Sequence, residues 1–439
     1  MKQRWLQSIA ILVLAAAPAC LFAGLDGPPG PIDGNPPAIM QAPPPGAYLN
    51  QLPMQPPLPP MAPGAPDGVP GAFGPPGECS ESCDRDQSSW AELDLMQWWI
   101  RKKLPPLVTG NSAGPGSLTE PGTVVLFGGD HEEMENHTGA RATAGWWFGD
   151  SPLGLEICAE FAGERATRFT GGSNDLGQPG FSRPVVNALT GQETAEFISF
   201  PGQFVGHIQV SSESFFWDGQ TNWLIELDPD RPWTCIIVGA RYADLEEGLS
   251  INQTSTAIST GLIGHDGQFL GAPTQVNIAD HFTTRDQFIG GQLGAQGQLD
   301  DRHFFLRLRG TLGVGYTIES ATIMGLTSFD NGAVVERGGL LAQPTNIGHF
   351  THDRVTILPE GQITLGYHVT ENIDIHLGYS IIYWSDLLRP VGGIDRTINP
   401  TQLATSVQGT GLEGPARPVS LRESDFWAHG LALGFTIRY

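Results

Sequence analysis

The chain has 439 residues, a net charge of −23 and only 16% charged residues, with 57 glycines and 36 prolines. This acidic balance excludes a nucleic-acid-binding surface, which needs basic patches to meet phosphate. The length fits two or three average domains or one large β-barrel, and high glycine without long helical runs favours the barrel.

The first 23 residues have the form of a secretory signal peptide. Lys2 and Arg4 precede an apolar core over 9–17, then small residues with cleavage sites after Ala19 or Ala23. Cys20 does not follow a lipobox, because Ala17-Pro18-Ala19 lacks the bulky aliphatic residue and carries a proline. Export places Cys79, Cys83, Cys158 and Cys235 in an oxidising compartment, and their pairing stays open. Residues 24–87 form a Pro/Gly-rich linker with runs such as Pro43-Pro44-Pro45, expected as extended coil without a core. It serves as a spacer or docks a cell-wall or periplasmic partner through its proline face.

From residue 88 the pattern changes to period two, the signature of strands with one apolar and one polar face. Residues 90–100 place Glu92, Asp94 and Met96 on one face and Ala91, Leu93 and Leu95 on the other. Further strands are expected at 138–149, 153–168, 203–227, 233–252, 278–299, 303–324, 352–369, 372–386 and 424–439. Short connections near 150–152, 228–232, 300–302 and 370–371 alternate with long ones near 101–137, 169–202, 253–277, 325–351 and 387–423. That rhythm belongs to outer-membrane barrels, with tight periplasmic turns at one end and large external loops at the other. The expected fold is an all-β, antiparallel up-and-down transmembrane barrel over 88–439. It has ten strands, or up to twelve if 122–129 adds to the count. No apolar run after the leader reaches the ~18–20 residues of a spanning helix.

Three residue sets follow from this geometry. The lumen wall is expected to carry Glu92, Asp94, Arg141, Glu156, Glu160, Glu164, Glu213, Arg241, Arg307, Arg309, Asp374, His376 and Arg438, since charges facing lipid near the midplane would cost ~2–4 kcal/mol each. An aromatic girdle is expected from Trp98, Trp99, Trp146, Trp147, Trp217, Tyr383, Trp384 and Trp427, whose rings favour the headgroup level. The last strand ends on Leu431, Leu433, Phe435, Ile437 and Tyr439 at alternate places, an ending suited to recognition by the barrel assembly machinery.

No catalytic or cofactor motif stands out: there is no P-loop, no dinucleotide-binding glycine pattern leading into a helix and no nucleophile elbow. The densest set of ligand types, residues 130–137 (DHEEMENH), has Glu135 where a zincin needs its second histidine. A hard cation such as calcium suits an acidic external loop there, and a solvated acidic loop suits it equally. No metal, cofactor or enzymatic activity is expected.

Several blocks resemble the beta-barrel porin-7 family of planctomycete outer membranes. They are residues 91–109 (AELDLMQWWIRKKLPPLVT), 139–161 (GARATAGWWFGDSPLGLEICAEF), 237–251 (IVGARYADLEEGLSI) and 338–353 (GGLLAQPTNIGHFTHD). The most specific is 365–400, with LGYHVTENIDIHLGYSIIYWSDLLRP and IDRTINP, followed by the ending FWAHGLALGFTIRY. The loops 169–202 and 401–420 show no matching blocks. The resemblance implies the cell outer membrane and a barrel fold, and supplies no catalytic residues. The functional expectation is a porin-like channel for passive diffusion of small polar solutes. The alternatives are a non-conducting barrel that anchors the envelope or displays loops, and a soluble secreted β-protein or adhesin. Expected partners are outer-membrane lipid and the assembly machinery.

Overall fold

The structure, a computed structural model, describes residues 88–111, 113–149, 151–228, 233–265, 267–406 and 421–439. The signal peptide, the proline-rich linker, Cys20, Cys79 and Cys83 lie outside the described residues. The barrel has ten strands: β1 Ser89–Gly110, β2 Val124–Trp147, β3 Leu153–Gly172, β4 Phe204–Glu226, β5 Cys235–Ala257, β6 Thr274–Asp300, β7 Phe304–Phe329, β8 Gly348–His368, β9 Ile373–Leu388 and β10 Glu423–Arg438. Each pairs antiparallel with the next, and β10 pairs back on β1 from Trp90↔Arg438 to Ile100↔Ala428, so no edge is left open. Tyr439 extends the closure, its carbonyl accepting from the backbone N–H groups of Ser88 (2.8 Å) and Ser89 (3.2 Å).

Strands run further toward the long loops than the sequence expectation, most of all β1 and β2. The long connection placed at 101–137 is only 111–123, because β1 and β2 both run on beyond the apolar band. β1 passes through Pro105 and Pro106 by register shifts between Lys103 and Leu104 and between Leu104 and Val108, as prolines in a ladder require. Residues 122–129 therefore lengthen β2 and add no strand. The acidic segment 130–137 lies in β2 as well, paired with β1, and is not a loop.

The outer wall carries an apolar band between two sets of rings. Toward the short turns, Trp146 and Trp223 contact Phe148, and Phe304 contacts Tyr367. Toward the long loops, Trp99 stacks on His429, and Trp217 contacts Tyr242 and Tyr383 contacts Trp427 in tilted pairs. Between them Leu93, Leu95, Leu293, Leu308, Leu365, Leu377 and Leu433 are exposed. Trp427 on β10 and Tyr439 just past its end stand twelve residues apart. At ~3.3 Å per residue and ~45° tilt this gives on the order of 28 Å, close to a bilayer's hydrocarbon thickness. The strands continue past the upper rings, with outward faces that are polar on β5 and β6 and carry the exposed Met134, Met324 and Leu326 on β2 and β7, so the barrel stands above the band.

The long loops fold over the upper mouth. A hairpin of Phe181–Asn187 with Glu193–Ser199 pairs with Thr397–Ile398. Gln343 and Asn399 exchange two hydrogen bonds of 2.9 Å, joining the loops after β7 and β9. Asp280 of β6 accepts from the N–H groups of Leu341 and Ala342 (3.0 and 2.8 Å) and holds Arg183 at 2.7 Å. One buried carboxylate thus ties two loops to the wall. Beneath them Leu107, Ile208, Ile251, Phe282, Ile323, Leu340 and Leu341 form a buried apolar cluster.

Candidate functional site inside the barrel

In a strand only alternate residues share a face, and the interior faces of the ten strands meet in layers. At the short-turn end Trp90, Trp147, Leu224, Cys235 and Ile237 pack together. Nearby, Arg438 pairs with Asp374, which also bonds His368 at 2.7 Å. Above lies a layer of ion pairs: Arg307–Glu92 (2.9 Å), Arg309–Glu156 (2.6 Å), Arg141–Glu160 (2.9 Å), Arg241–Asp218 (2.6 Å) and Arg241–Glu360 (2.9 Å). Three of them join strands that are not neighbours in the sheet, β1 to β7, β3 to β7 and β5 to β8, whereas Arg141–Glu160 and Arg241–Asp218 join neighbouring strands. The middle layer is apolar: Met96, Trp98, Phe216, Phe288, Leu358, Ile382, Trp384 and Phe426 are all buried in one cluster. Trp384 Nε1 donates to the hydroxyls of Thr317 (3.1 Å) and Thr356 (3.3 Å). Above it, Arg389 grips Glu247 through two bonds of 2.6 and 2.7 Å, and Lys102 reaches Glu135 at 3.2 Å.

The ion-paired region leaves a cavity of about 20 Å³ between Trp90, Arg141, Glu156, Gln220, Arg307 and Arg309. That volume suits a water molecule or two and no solute. Glu92, Asp94 and His376 bring donor atoms within 4.8 Å of one another, as metal ligands would be. Their surroundings argue against a dication. Arg307 lies 2.9 Å from Glu92 and Arg141 3.9 Å from Asp94, so two guanidinium charges already face the carboxylates. His376 Nε2 lies 2.6 Å from Asp94, and Thr436 donates to Glu92 at 3.0 Å, which completes an ion-paired network without an ion. Gly434 makes this approach possible: a Cβ there would lie 2.0 Å from Asp94 Oδ1 and 2.7 Å from His376 Nε2.

The family model described as Putative beta barrel porin-7 matches residues 90–439, the whole of the barrel just described. The chain belongs to this family. Barrel fold and family together point to the outer membrane. Among solved structures, the porin-7 chain is similar to the outer membrane protease OmpT from Escherichia coli, at 9% identity and TM-score 0.36, covering 81% of this chain and 98% of that one. It is similar to a Pseudomonas aeruginosa FadL homologue at 8% identity and TM-score 0.20, covering 80% and 90%. For the outer membrane channel DcaP of Acinetobacter baumannii the values are 10%, 0.16, 81% and 97%. At such scores these likenesses carry no argument. Among curated proteins nothing matches the chain.

The structure puts Glu92, Asp94, Arg141, Glu156, Glu160, Arg241, Arg307, Arg309, Asp374, His376 and Arg438 on interior faces. Two residues expected with them are elsewhere. Glu213 belongs to the outward set of β4 with Phe215 and Trp217, and its carboxylate accepts from Ser211 at 2.9 Å. Glu164 is exposed at a bulge between Ala162 and Arg165, where the alternation of β3 slips. The girdle also needs correction. Trp99, Trp146, Trp217, Tyr383 and Trp427 stand on the outer wall, but Trp98, Trp147 and Trp384 point inward and are buried. Neighbouring strand residues cannot both face lipid, so one of each aromatic pair has to turn into the interior. Asp218 and Glu360, partners of Arg241, were missed. Their signal was the polar set Asp218, Gln220 and Asn222, hidden by the unbroken run Phe215-Phe216-Trp217. Cys158 and Cys235 are buried free thiols.

Proposed function

We propose that this porin-7 chain is a closed outer-membrane barrel whose interior is structural, and that it anchors and displays the folded cap of external loops. The observation that carries this reading is the stack of side-chain layers across the bore, from Trp90 and Trp147 through the arginine–carboxylate layer to Trp98, Phe216, Phe288 and Trp384. Passive diffusion needs a continuous water path, and a solute would have to break several buried ion pairs and displace these rings. The cap supports the same reading, because 338–347 and 394–400, parts of blocks that resemble the family, lie in loops knitted over the mouth. This reading assigns the barrel no catalytic step.

The diffusion-channel reading keeps the support of the family's porin description and of an interior charged on both signs. It requires the layers to rearrange. Planar-bilayer recording on the purified protein separates the two. Silence in the native protein is expected, with insertion verified by heat-modifiable gel mobility. A variant with Trp98, Phe216 and Trp384 all changed to alanine should stay silent as well, because the arginine–carboxylate layer and the Trp90–Trp147 layer still close the bore. Steady unitary conductance in the native protein would refute the closed barrel.

A further inference from the structure

The external cap contains a cavity of about 390 Å³ that the closed-barrel reading does not use, a size within the range of small-molecule sites. Its wall is largely apolar: Phe197, Phe204, Leu262, Ile263, Ile278 and Leu403 come from the loop hairpin, β4, β6 and the loops after β5 and β9. Two polar groups on that wall present oxygen acceptors, Glu196 and Gln253. Glu196 contributes a carboxyl that makes no ion pair among the described residues. Its register partner across the hairpin, Arg183, is held by Asp280 at 2.7 Å.

Gln253 is the second polar anchor and is buried. Its Nε2 donates to the carbonyl of Phe197 (3.2 Å) and to Ser255 Oγ (3.0 Å). A carbonyl only accepts, so the amide cannot turn round without setting two oxygens against each other. That leaves Gln253 Oε1 as an acceptor with no partner in the cavity wall. An unpaired buried acceptor costs about 1–3 kcal/mol until a donor meets it.

We infer that this cavity is a binding site for a small apolar molecule carrying one protonated amine, seated with its ammonium on Glu196 and its apolar body against Phe197, Phe204 and Leu403. The ammonium supplies donors to the Glu196 carboxylate and to the unpartnered Gln253 Oε1, and the charge that complements the carboxylate, and the phenyl rings suit a cation at their faces. Burial pushes the Glu196 carboxyl up to about 7 against the opposing pull of Arg183, so an amine would find the ionised form increasingly available as pH rises through neutrality. The charged groups facing Glu196 are Arg183 on its own hairpin and, behind it, Asp280 of β6. The other polar lining residues, Gln203, Gln253, Ser255, Thr405 and Ser406, do not titrate. The inference is independent of whether the barrel conducts.

The test is calorimetric titration of the full-length protein in detergent with 2-phenylethylamine, 3-phenylpropan-1-ol and phenylacetate as probes. Saturable binding of the amine is expected, at least tenfold tighter than the alcohol, with no binding of the anion and tightening between pH 6 and 8. Glu196→Gln should remove the amine's advantage while leaving the alcohol unchanged, and Leu403→Trp should fill the cavity and weaken both. Heat-modifiable mobility checks that each variant is folded. No saturable amine binding overturns the inference. So does an alcohol that binds as tightly as the amine, or amine affinity unchanged in Glu196→Gln.

Discussion

Arg241 gives the sharpest test of how the interior is held. Its guanidinium lies 2.6 Å from Asp218 and 2.9 Å from Glu360 and is fully buried with them. Arg241→Met keeps the stem's bulk and removes the charge, leaving the two carboxylates with the Gln220 amide, at 2.9 and 3.1 Å, as their shared donor. Breaking a buried pair from one side costs about 3–5 kcal/mol, because the partner charge stays buried without compensation. At 1.4 kcal/mol per decade this is roughly a 140- to 4,000-fold shift in the unfolding equilibrium. Replacing all three groups, Arg241→Met with Asp218→Asn and Glu360→Gln, should return most of that loss, since neutral substitution of a whole buried network is often nearly free. Urea unfolding in lipid vesicles, followed by tryptophan fluorescence and heat-modifiable mobility, reads both variants. A single variant as stable as the native barrel would refute the argument, as would a triple variant no more stable than the single one.

Gly434→Ala sets a Cβ against Asp94 and His376 and should destabilise by about 1–3 kcal/mol, as overpacking does. Gly310→Ala, whose Cβ would meet nothing within 4 Å, should be near neutral in the same urea assay. Asp280→Ala strands the Arg183 charge and two loop N–H groups, so external protease should cut 330–347 faster while the β-strands stay protected. Glu196 makes the cap pH-dependent. The unfolded chain loses this proton near 4.5 and the folded one near 7, so the folded form binds more protons between them and its stability falls as pH rises across that window. Hydrogen exchange of residues 181–199 should therefore quicken from pH 5 to 7 beyond its intrinsic increase, and Glu196→Gln should abolish that excess. Removing Tyr439, whose backbone closes on Ser88 and Ser89, should slow barrel assembly as read by heat-modifiable mobility.

Strand pairing and the inward set were legible where the two faces differ in chemistry. In β9, Ile373, Ile375, Leu377 and Tyr379 oppose Asp374, His376, Gly378 and Ser380, and the phase cannot be mistaken. It was not legible where both faces are apolar. Trp98-Trp99, Trp146-Trp147 and Tyr383-Trp384 give two rings for one lipid-facing place, and only the polar residues further along the strand decide which turns in. Bulges erased the phase elsewhere. Asp386, at φ 55° in the left-handed region, marks the irregularity that returns Leu387 to the interior. The cap left no periodic trace, because Asp280, Gln343 and Asn399 meet from segments far apart in sequence, and only closure of the barrel brings them together.

Strand number links these features. Barrel width grows with the number of strands, and side chains fill a bore of about eight strands, whereas sixteen or more leave a water channel. Ten strands lie near the small end, where long side chains from opposite walls can still touch. Arg307 to Glu92 and Arg309 to Glu156 do so directly. At this width interior charges face a choice that does not arise in a wide pore: they are out of bulk water, so each has to find a partner across the bore. Arginine suits that demand, since its fork satisfies two acceptors at once, as Arg309 does with Glu156 and Gln296. An interior charged on both signs therefore carries opposite meanings in wide and narrow barrels. In a wide one it lines a path, and in a narrow one it ties the walls together. The two-signed interior and the ten-strand closure are then one fact, and together they make the closed bore the expected resting state.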